Sequence, residues 1–529
     1  MWGTRLQWLY SLYVEISLWY AAFNRSTERG PLMKPVASLL PRLSLRNGTS
    51  LLFALAGFAA VGLISGCGSS GSQSGSPVLG GNTSVTLLIS STANDQLSQF
   101  NVDFSGISLT SQSGKTVSLL GSYLNPEFIH VNGTAEPLVT VSVPQDIYTA
   151  ATVTVPQGEF VCIGQDVSSN STYTSTYSYI DQPSLQITVD LASPITVSGN
   201  AMGLMLDLLV SKSETLGSCY STGAYDPYTV TPTFNLTPMT ISPQPSNVGN
   251  GKLTGLRGLV ASVDAVGSSF AVTAADGPVW SSTSNGATTF QGIAGISALV
   301  VGMPVDMDVA MQSDGSLVAT RVEVSDTNPS GLTLASGPVE FVAGSQPTLN
   351  SLVRLGQGYL YSGGVALGAH PFSFGNAVFQ ASGQLTNLQS LPFSASFTAA
   401  NLVPGQNVSI TSHALTEQGG PVYVPAATVT LVPQTINGMV SAVANSGGFE
   451  MYTVALAAYD LMPNLAVQGG QNTLLTNPGM VVVYADPNTQ MLNSGTIGVG
   501  SVMRFNGLVF NDNGTLRMDC AQVNDGVAE

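Results

Sequence analysis

Basic residues are scarce in this sequence: 14 Lys and Arg among 529 residues, against 30 Asp and Glu. Six of the basic and two of the acidic residues lie before Cys67, so the chain beyond that cysteine carries a net charge of −20. Affinity for nucleic acid comes largely from cations that neutralise phosphates, and these few scattered ones exclude it as a partner. Charged residues of both signs make up only 8% of the chain and hydrophobic ones 44%, which excludes a disordered polyelectrolyte. The polarity comes instead from Ser, Thr, Asn and Gln, alongside many Gly and Val, a composition suited to extracytoplasmic β-domains.

Histidine is rarer still. His130, His370 and His413 lie far apart and read as surface or turn residues, with no second histidine, cysteine or acidic cluster at ligand spacing. No G-x-S-x-G elbow occurs to seat a hydrolase nucleophile. The G-x-G-x-x-G formed by Gly66, Gly68 and Gly71 has neither a strand before it nor a helix after it. Asn511-Asp512-Asn513-Gly514 lacks the further oxygen ligands of a Ca²⁺ loop and reads as a hairpin turn. No catalytic residue, metal site or cofactor is expected on these grounds, although carboxylates paired across long stretches of sequence would leave no trace.

Long apolar runs are absent apart from one, LLFALAGFAAVGLISG at residues 51–66. It is shorter than the roughly 20 residues a spanning helix needs. Lys34, Arg42 and Arg46 precede it and small residues follow, the layout of a secretory signal; the other reading is a short uncleaved anchor. Starting at Met33 gives an ordinary signal peptide over residues 33–66, so residues 1–32 read as a mis-assigned upstream extension. Ile64-Ser65-Gly66 before Cys67 resembles the lipobox of bacterial lipoproteins. That resemblance implies an acylated Cys67 as the mature N-terminus, held in a bilayer at about 0.8 kcal/mol per buried CH₂. Gly68 in place of Asp points, by the sorting rule of diderm lipoproteins, to the outer membrane, and residues 67–82 read as a flexible tether.

Three further cysteines remain. Cys162 and Cys219 either pair, closing a loop worth on the order of 4 kcal/mol, or stay two buried thiols. Cys520 sits in a strand pattern with no histidine near it and reads as a small core residue.

What is present in quantity is period-two alternation. Val85, Leu87 and Ile89 share one face, as do Phe100, Val102 and Phe104, then Leu185, Ile187, Val189 and Leu191, then Leu204, Leu206, Leu208 and Val210. No long stretch has helical spacing beyond the apolar run, and Gly and Pro punctuate the chain. The fold class expected is all-β: a sandwich over residues 83–239, a linker at 240–252, and three small barrels at 253–326, 334–433 and 434–526.

The sandwich segment resembles an uncharacterised bacterial domain family with an Ig-like or transthyretin-like fold, common in envelope lipoproteins. Leu206-Asp207-Leu208 matches that family's late strand, while Asp146-Ile147-Tyr148 replaces its usual turn glycine. Beyond it the chain repeats itself. Gly258-x-Val260, Gly337-x-Val339 and Gly438-x-Val440 each open a unit. Phe270-x-Val272, Phe372-x-Phe374 and Phe449-x-Met451 follow, and turns containing Gly302, Gly405 and Gly500 precede a late strand in each. The first copy is similar to a second uncharacterised bacterial family of short barrels, through Thr288-Thr289-Phe290, Gly302 to Val305, and Asp314-Gly315-x-Leu317-x-Ala319. An OB-like architecture is expected by analogy alone, with Asp314-Gly315 and Asn513-Gly514 in two-residue hairpins.

One surface feature stands out. In SNSTYTSTYSYIDQP, residues 169–183, an extended chain puts Tyr173, Tyr177 and Tyr179 on one face, a platform for a glycan or protein partner; the other reading is a long hairpin insertion. The leading expectation is a lipid-anchored envelope protein of non-catalytic β-modules for binding, adhesion or assembly, touching the membrane through its lipid. The alternative is an accessory component that captures polysaccharide or peptide for an envelope enzyme or transport system. A third, an enzyme with an unrecognised site, would show itself as a pocket where Asp, Glu or His side chains converge from several modules.

Overall fold

The computed structural model describes residues 79–92, 97–164, 174–213, 231–342, 352–360, 366–413, 424–457, 460–468 and 475–526. All of residues 1–78, including Ile64, Ser65, Gly66 and Cys67, lie outside them. The described chain is all-β, in sheets joined by short connections.

The first module contains β1 (Asn82–Ser91), β2 (Leu97–Val102), β3 (Gly106–Ser111), β4 (Thr116–Leu120), β5 (Glu136–Pro144), β6 (Asp146–Gly164), β7 (Thr174–Val189), β8 (Ile195–Val197), β9 (Ala201–Leu208) and β10 (Phe234–Met239). One sheet has the order β10-β9-β1-β5, with β1 and β9 parallel. The other has the order β2-β6-β3-β4, with β7 and β8 also paired to β6. Alternation builds both: β3, GISLTS, buries every second residue. Val85, Leu87, Leu204 and Leu206 from one sheet share a core with Phe100, Val102, Leu109 and Val153 from the other, so the module is a sandwich. Phe104, Phe128 and Phe234 meet at 5.8–6.0 Å between ring centres in the middle of it.

Three barrels follow. The first is β11 (Lys252–Asp264), β12 (Ser269–Thr273), β13 (Val279–Thr283), β14 (Thr289–Gln291), β15 (Pro304–Met311) and β16 (Leu317–Val324). The second is β17 (Thr333–Val342), β18 (Leu352–Leu360), β19 (Ala366–Ser373), β20 (Val378–Ala381), β21 (Asn407–Ser412), β22 (Val424–Pro425) and β23 (Thr428–Leu431). The third is β24 (Gln434–Ser446), β25 (Phe449–Ala455), β26 (Met480–Met491), β27 (Val502–Asp512) and β28 (Thr515–Asp525).

The three share one plan. In the third, β24-β25-β26-β28-β27 closes into a ring with β26 and β28 parallel. In the first, β11-β12-β13-β16-β15 closes the same way, β13 and β16 again parallel. The second splits its last strand: β22 pairs with β19 and β23 with β21. A first strand shared between the second and fourth, with the third parallel to the fifth, is the order of an OB-type barrel.

The repeated glycines have one physical cause each. At Gly258 and Gly438 a Cβ would strike the carbonyl oxygens of Thr273 and Ala455 on the neighbouring strand, so no larger residue fits where the barrel pinches. Gly302, Gly405 and Gly500 hold φ of +89°, +90° and +91°. Each turn is locked by the same pair of bonds, for instance Gly302 N to Val260 O and Val260 N to Met303 O, at 2.8 and 2.9 Å. Asn513-Gly514 is a two-residue hairpin with φ of 52° and 90°. Asp314-Gly315 is not: Gln312 N bonds Ser316 O at 2.8 Å, and the loop has three residues with only Gly315 at positive φ.

Helical structure is confined to short pieces, the longest described being Leu461–Gln468, which the alternation reading did not foresee. No described helix is long and apolar enough to cross a membrane. Ser242 to Gly251 is a packed corner rather than an open linker: Asn250 Oδ1 accepts the Ser246 and Asn247 amides, and Val248 packs on the first barrel's core.

Candidate binding cavity

The modules do not hang apart. Leu88 and Met239, on the outer face of a sandwich sheet, belong to the same buried cluster as Leu253, Met307 and Trp280 of barrel 1. Burying a leucine such as Leu88 stabilises the contact by about 1.5–3 kcal/mol. Trp280 Nε1 donates to Pro137 O at 2.8 Å across that seam. Leu508 and Phe510 of barrel 3 enter the core of barrel 2, where Phe393 stacks against Tyr484 at 4.9 Å. Barrel 3 in turn reaches the sandwich, through Thr435 Oγ1 to Asn132 O at 2.6 Å and Arg504 Nη1 to Ser91 O at 3.2 Å.

Where the four modules meet there is a cavity of about 110 Å³ that opens to solvent. The sandwich supplies Leu97, Glu127, Ile129 and His130; barrel 1 supplies Arg257; barrel 2 supplies Ser336, Pro338 and Asn407; barrel 3 supplies Gln434, Ile436, Leu456, Asp460 and Met462. Ionisable side chains therefore converge from three modules, the arrangement that would mark an unrecognised enzyme site.

Their bonding assigns them other work. Glu127 lies in the loop between β4 and β5, and its Oε1 accepts the amides of Phe100 and Ile129, both at 2.7 Å. Its Oε2 accepts the His130 amide and Nδ1, both at 3.0 Å. Nε2 of the same ring lies 3.1 Å from Glu136 Oε1. Burial alone would push the His130 pKa down, but the charge of Glu136 and the bonds to Glu127 and Glu136 outweigh it and hold the value well above 6.5. An imidazolium held between two carboxylates has no lone pair to offer as a general base.

Asp460 Oδ2 accepts the Ala457 amide at 2.8 Å and its carbonyl receives the Asn464 amide, which fixes the start of Leu461–Gln468. Gln434 bridges barrels 3 and 2, accepting the Asn407 amide at 2.8 Å and donating to Gly405 O at 3.0 Å. Arg257 donates Nε to Asp306 at 2.8 Å. Behind it Arg321 binds Asp306, Asp308 at 3.0 Å and Glu323 at 2.7 Å. Glu323 then accepts Ser382 Oγ at 3.1 Å and the Gly383 amide at 2.9 Å from barrel 2. Burial would raise Asp306; Arg321 and Arg257 overcome it and hold the carboxyl below its ordinary value. Glu323 is raised, by burial and then by the charge of Asp306. The remaining wall mixes aliphatic side chains such as Leu97, Ile129, Leu461 and Met462 with amides and hydroxyls such as Asn132, Ser336 and Asn506, and no Phe, Tyr or Trp is among the described residues lining it.

The residues singled out by sequence fall as follows. Cys219 and Tyr173 lie outside the described residues; the backbones of Cys162 and of Tyr177 and Tyr179 lie in β6 and β7, but their side chains lie outside. Those two strands form one long hairpin, pairing from Ala151–Val189 out to Gly164–Thr174. The His370 side chain is likewise outside the described residues. His413 bonds Asp326 Oδ2 at 2.7 Å and Ser330 O at 3.1 Å, at the exposed end of β21. Cys520 is a buried free thiol in the barrel 3 core. His130 lies in a turn, as read from the sequence, but it is half-buried and clamped between two carboxylates. Glu127 and Glu136, three residues before and six after it, were the signal that could have found it. Arg257, Asp306, Arg321 and Glu323 escaped notice because they sit on outward strand positions, which alternation assigns to solvent.

Compared with protein-family models, curated proteins and solved structures, the chain matches none, so neither the two resembled domain families nor the lipoprotein family gains support.

Proposed function

We propose that this chain is a lipid-anchored cell-envelope protein whose four β-modules form one non-catalytic body that holds a ligand in the cavity they share. The single observation that carries the binding reading is the cavity wall itself: its charged groups are spent on bonds within the protein, leaving aliphatic surface framed by amides and hydroxyls. Such a wall suits an extended, partly apolar segment of a partner, of peptide character, better than a sugar, which favours aromatic rings to stack on. The anchor reading rests on Ile64-Ser65-Gly66-Cys67 and the apolar run before it. Its expected address is the outer membrane, reached through acyl chains on Cys67.

Crosslinking in intact cells followed by mass spectrometry tests the binding half. Wild-type protein should capture a defined partner, and Leu461→Trp, at a half-buried lining position, should lose it; equal capture by both discards the cavity. Metabolic labelling with palmitate tests the anchor. Label on the wild type and none on Cys67→Ser, with the variant released from membranes, is the expected result.

A further inference from the structure

Two seams between modules carry the same unusual feature. At the seam between the sandwich and barrel 1, Asp276 lies in the β12–β13 turn, 7% exposed, and its Oδ2 has no hydrogen-bond partner. The charged groups facing it are Glu136 and Glu127 of the sandwich, with His130 between them. At the seam between barrels 2 and 3, Asp519 of β28 is 1% exposed, and its Oδ2 likewise has no partner. Facing it are Asp486 and the Asn387 side chain of barrel 2, which bonds both carboxyls, Asp486 Oδ2 at 3.0 Å, while Asp486 Oδ1 accepts the Asn488 and Thr489 amides. The nearest cation on its own strand, Arg517, is bound to Asp512 at 2.8 Å and to the Tyr484 hydroxyl, and lies over the Phe393 ring.

A buried carboxylate oxygen with no donor, beside a second carboxylate and with no cation to spare, is costly as an anion and tolerable as a neutral acid. We propose that both seams are proton-linked, each staying closed while its buried carboxyl with a partnerless oxygen, Asp276 or Asp519, carries a proton. Opening the seam hydrates the carboxyl and lets the proton go. Beside barrel 2, barrel 1 follows the opposite rule at Asp306, whose ionised carboxyl is held by Arg257 and Arg321, so protonating it would weaken that cluster.

The sign follows from linkage. Burial first, then Glu136, push Asp276 up to about 7; burial first, then Asp486, push Asp519 up to about 7. Both have an ordinary value of 3.8 once undocked. Closure is therefore fully favoured below that value, is lost progressively as pH rises to about 7, and levels off beyond. A carboxyl moved that far can change a closing constant by up to roughly 10³-fold, and solvent relaxation makes tenfold per seam the working expectation.

Hydrogen exchange followed by mass spectrometry, on the full chain and normalised to intrinsic rates, reads each seam separately. Between pH 4.5 and 8, wild-type protection in β13 and β28 should fall tenfold or more. Asp519→Asn, a neutral mimic of the protonated acid, should flatten the response at β28 and leave that at β13; Asp276→Asn should do the reverse. Protection that is flat in the wild type, or equally steep in the matching Asn variant, overturns the proposal. Should a variant fail to fold, the wild-type profile still decides it.

Discussion

Barrels 1 and 3 share strand order and differ on one outward face. At four matched positions barrel 1 has Asp306 opposite Glu323 and Asp308 opposite Arg321. Barrel 3 has Arg504 opposite Asn524 and Asn506 opposite Gln522. Barrel 2 shows a third version, Ser409 opposite Thr430 and Thr411 opposite Thr428. The inward partners stay apolar throughout, as in Val305, Met307 and Val309 against Val408 and Ile410. Each face meets a different neighbour: barrel 1's carboxylates grip Ser382 and Gly383 of barrel 2, and barrel 3's Arg504 and Gln522 grip backbone carbonyls of the sandwich. The interior of a repeat thus keeps it folded while its exterior chooses where it docks.

Substitutions can break this contrast, and the largest effect is expected at Arg321. Arg321→Met leaves three buried carboxylates around one remaining guanidinium, and should cost about 3–5 kcal/mol in denaturant unfolding. Arg504→Met, at a matching face whose partners are carbonyls, an amide and one long 3.9 Å pair with the exposed Asp525, should cost about 1.5–3 kcal/mol by the same measurement. Equal losses would mean the two faces are energetically alike. Gly438→Ala forces a Cβ onto the Ala455 carbonyl and should cost about 1–3 kcal/mol, whereas Gly498→Ala, with open space around it and no positive φ, should cost less than about 1 kcal/mol. The smallest effect belongs to barrel 2: Thr411→Val removes a 2.6 Å hydroxyl pair with Thr428 and should cost about 1 kcal/mol.

Acid sharpens the comparison further. Asp306 has a pKa below 3.8, so its stabilisation is present above that value and disappears as pH falls through its lowered value. Exchange in β15, which carries Asp306, should therefore accelerate as pH falls below about 3.8, the opposite trend to the Asp276 and Asp519 seams.

The strands were legible because one face of each meets a core within its own module; β9 and β3 alternate in burial as their residues alternate in polarity. The opposite faces were not. Thr86, Leu88 and Ser90 look solvent-facing in β1, yet all are buried, because barrel 1 and neighbouring strands cover them. The cavity was illegible for the same reason. Its walls are brought together by contacts such as Thr435 with Asn132, between residues that local pattern cannot relate. Period two reports which side of a strand is apolar and carries nothing about which module arrives on the other side.

Those contacts between the last barrel and the first module also impose an order on biogenesis. A chain made from its N-terminus presents the sandwich long before β24 and β27 exist to cover Ser91 and Asn132. Until then these loop carbonyls face water or a chaperone, and a product stopped short of β27 would keep them bare and open to proteases. Completion of the final barrel would act as the quality checkpoint for everything made before it.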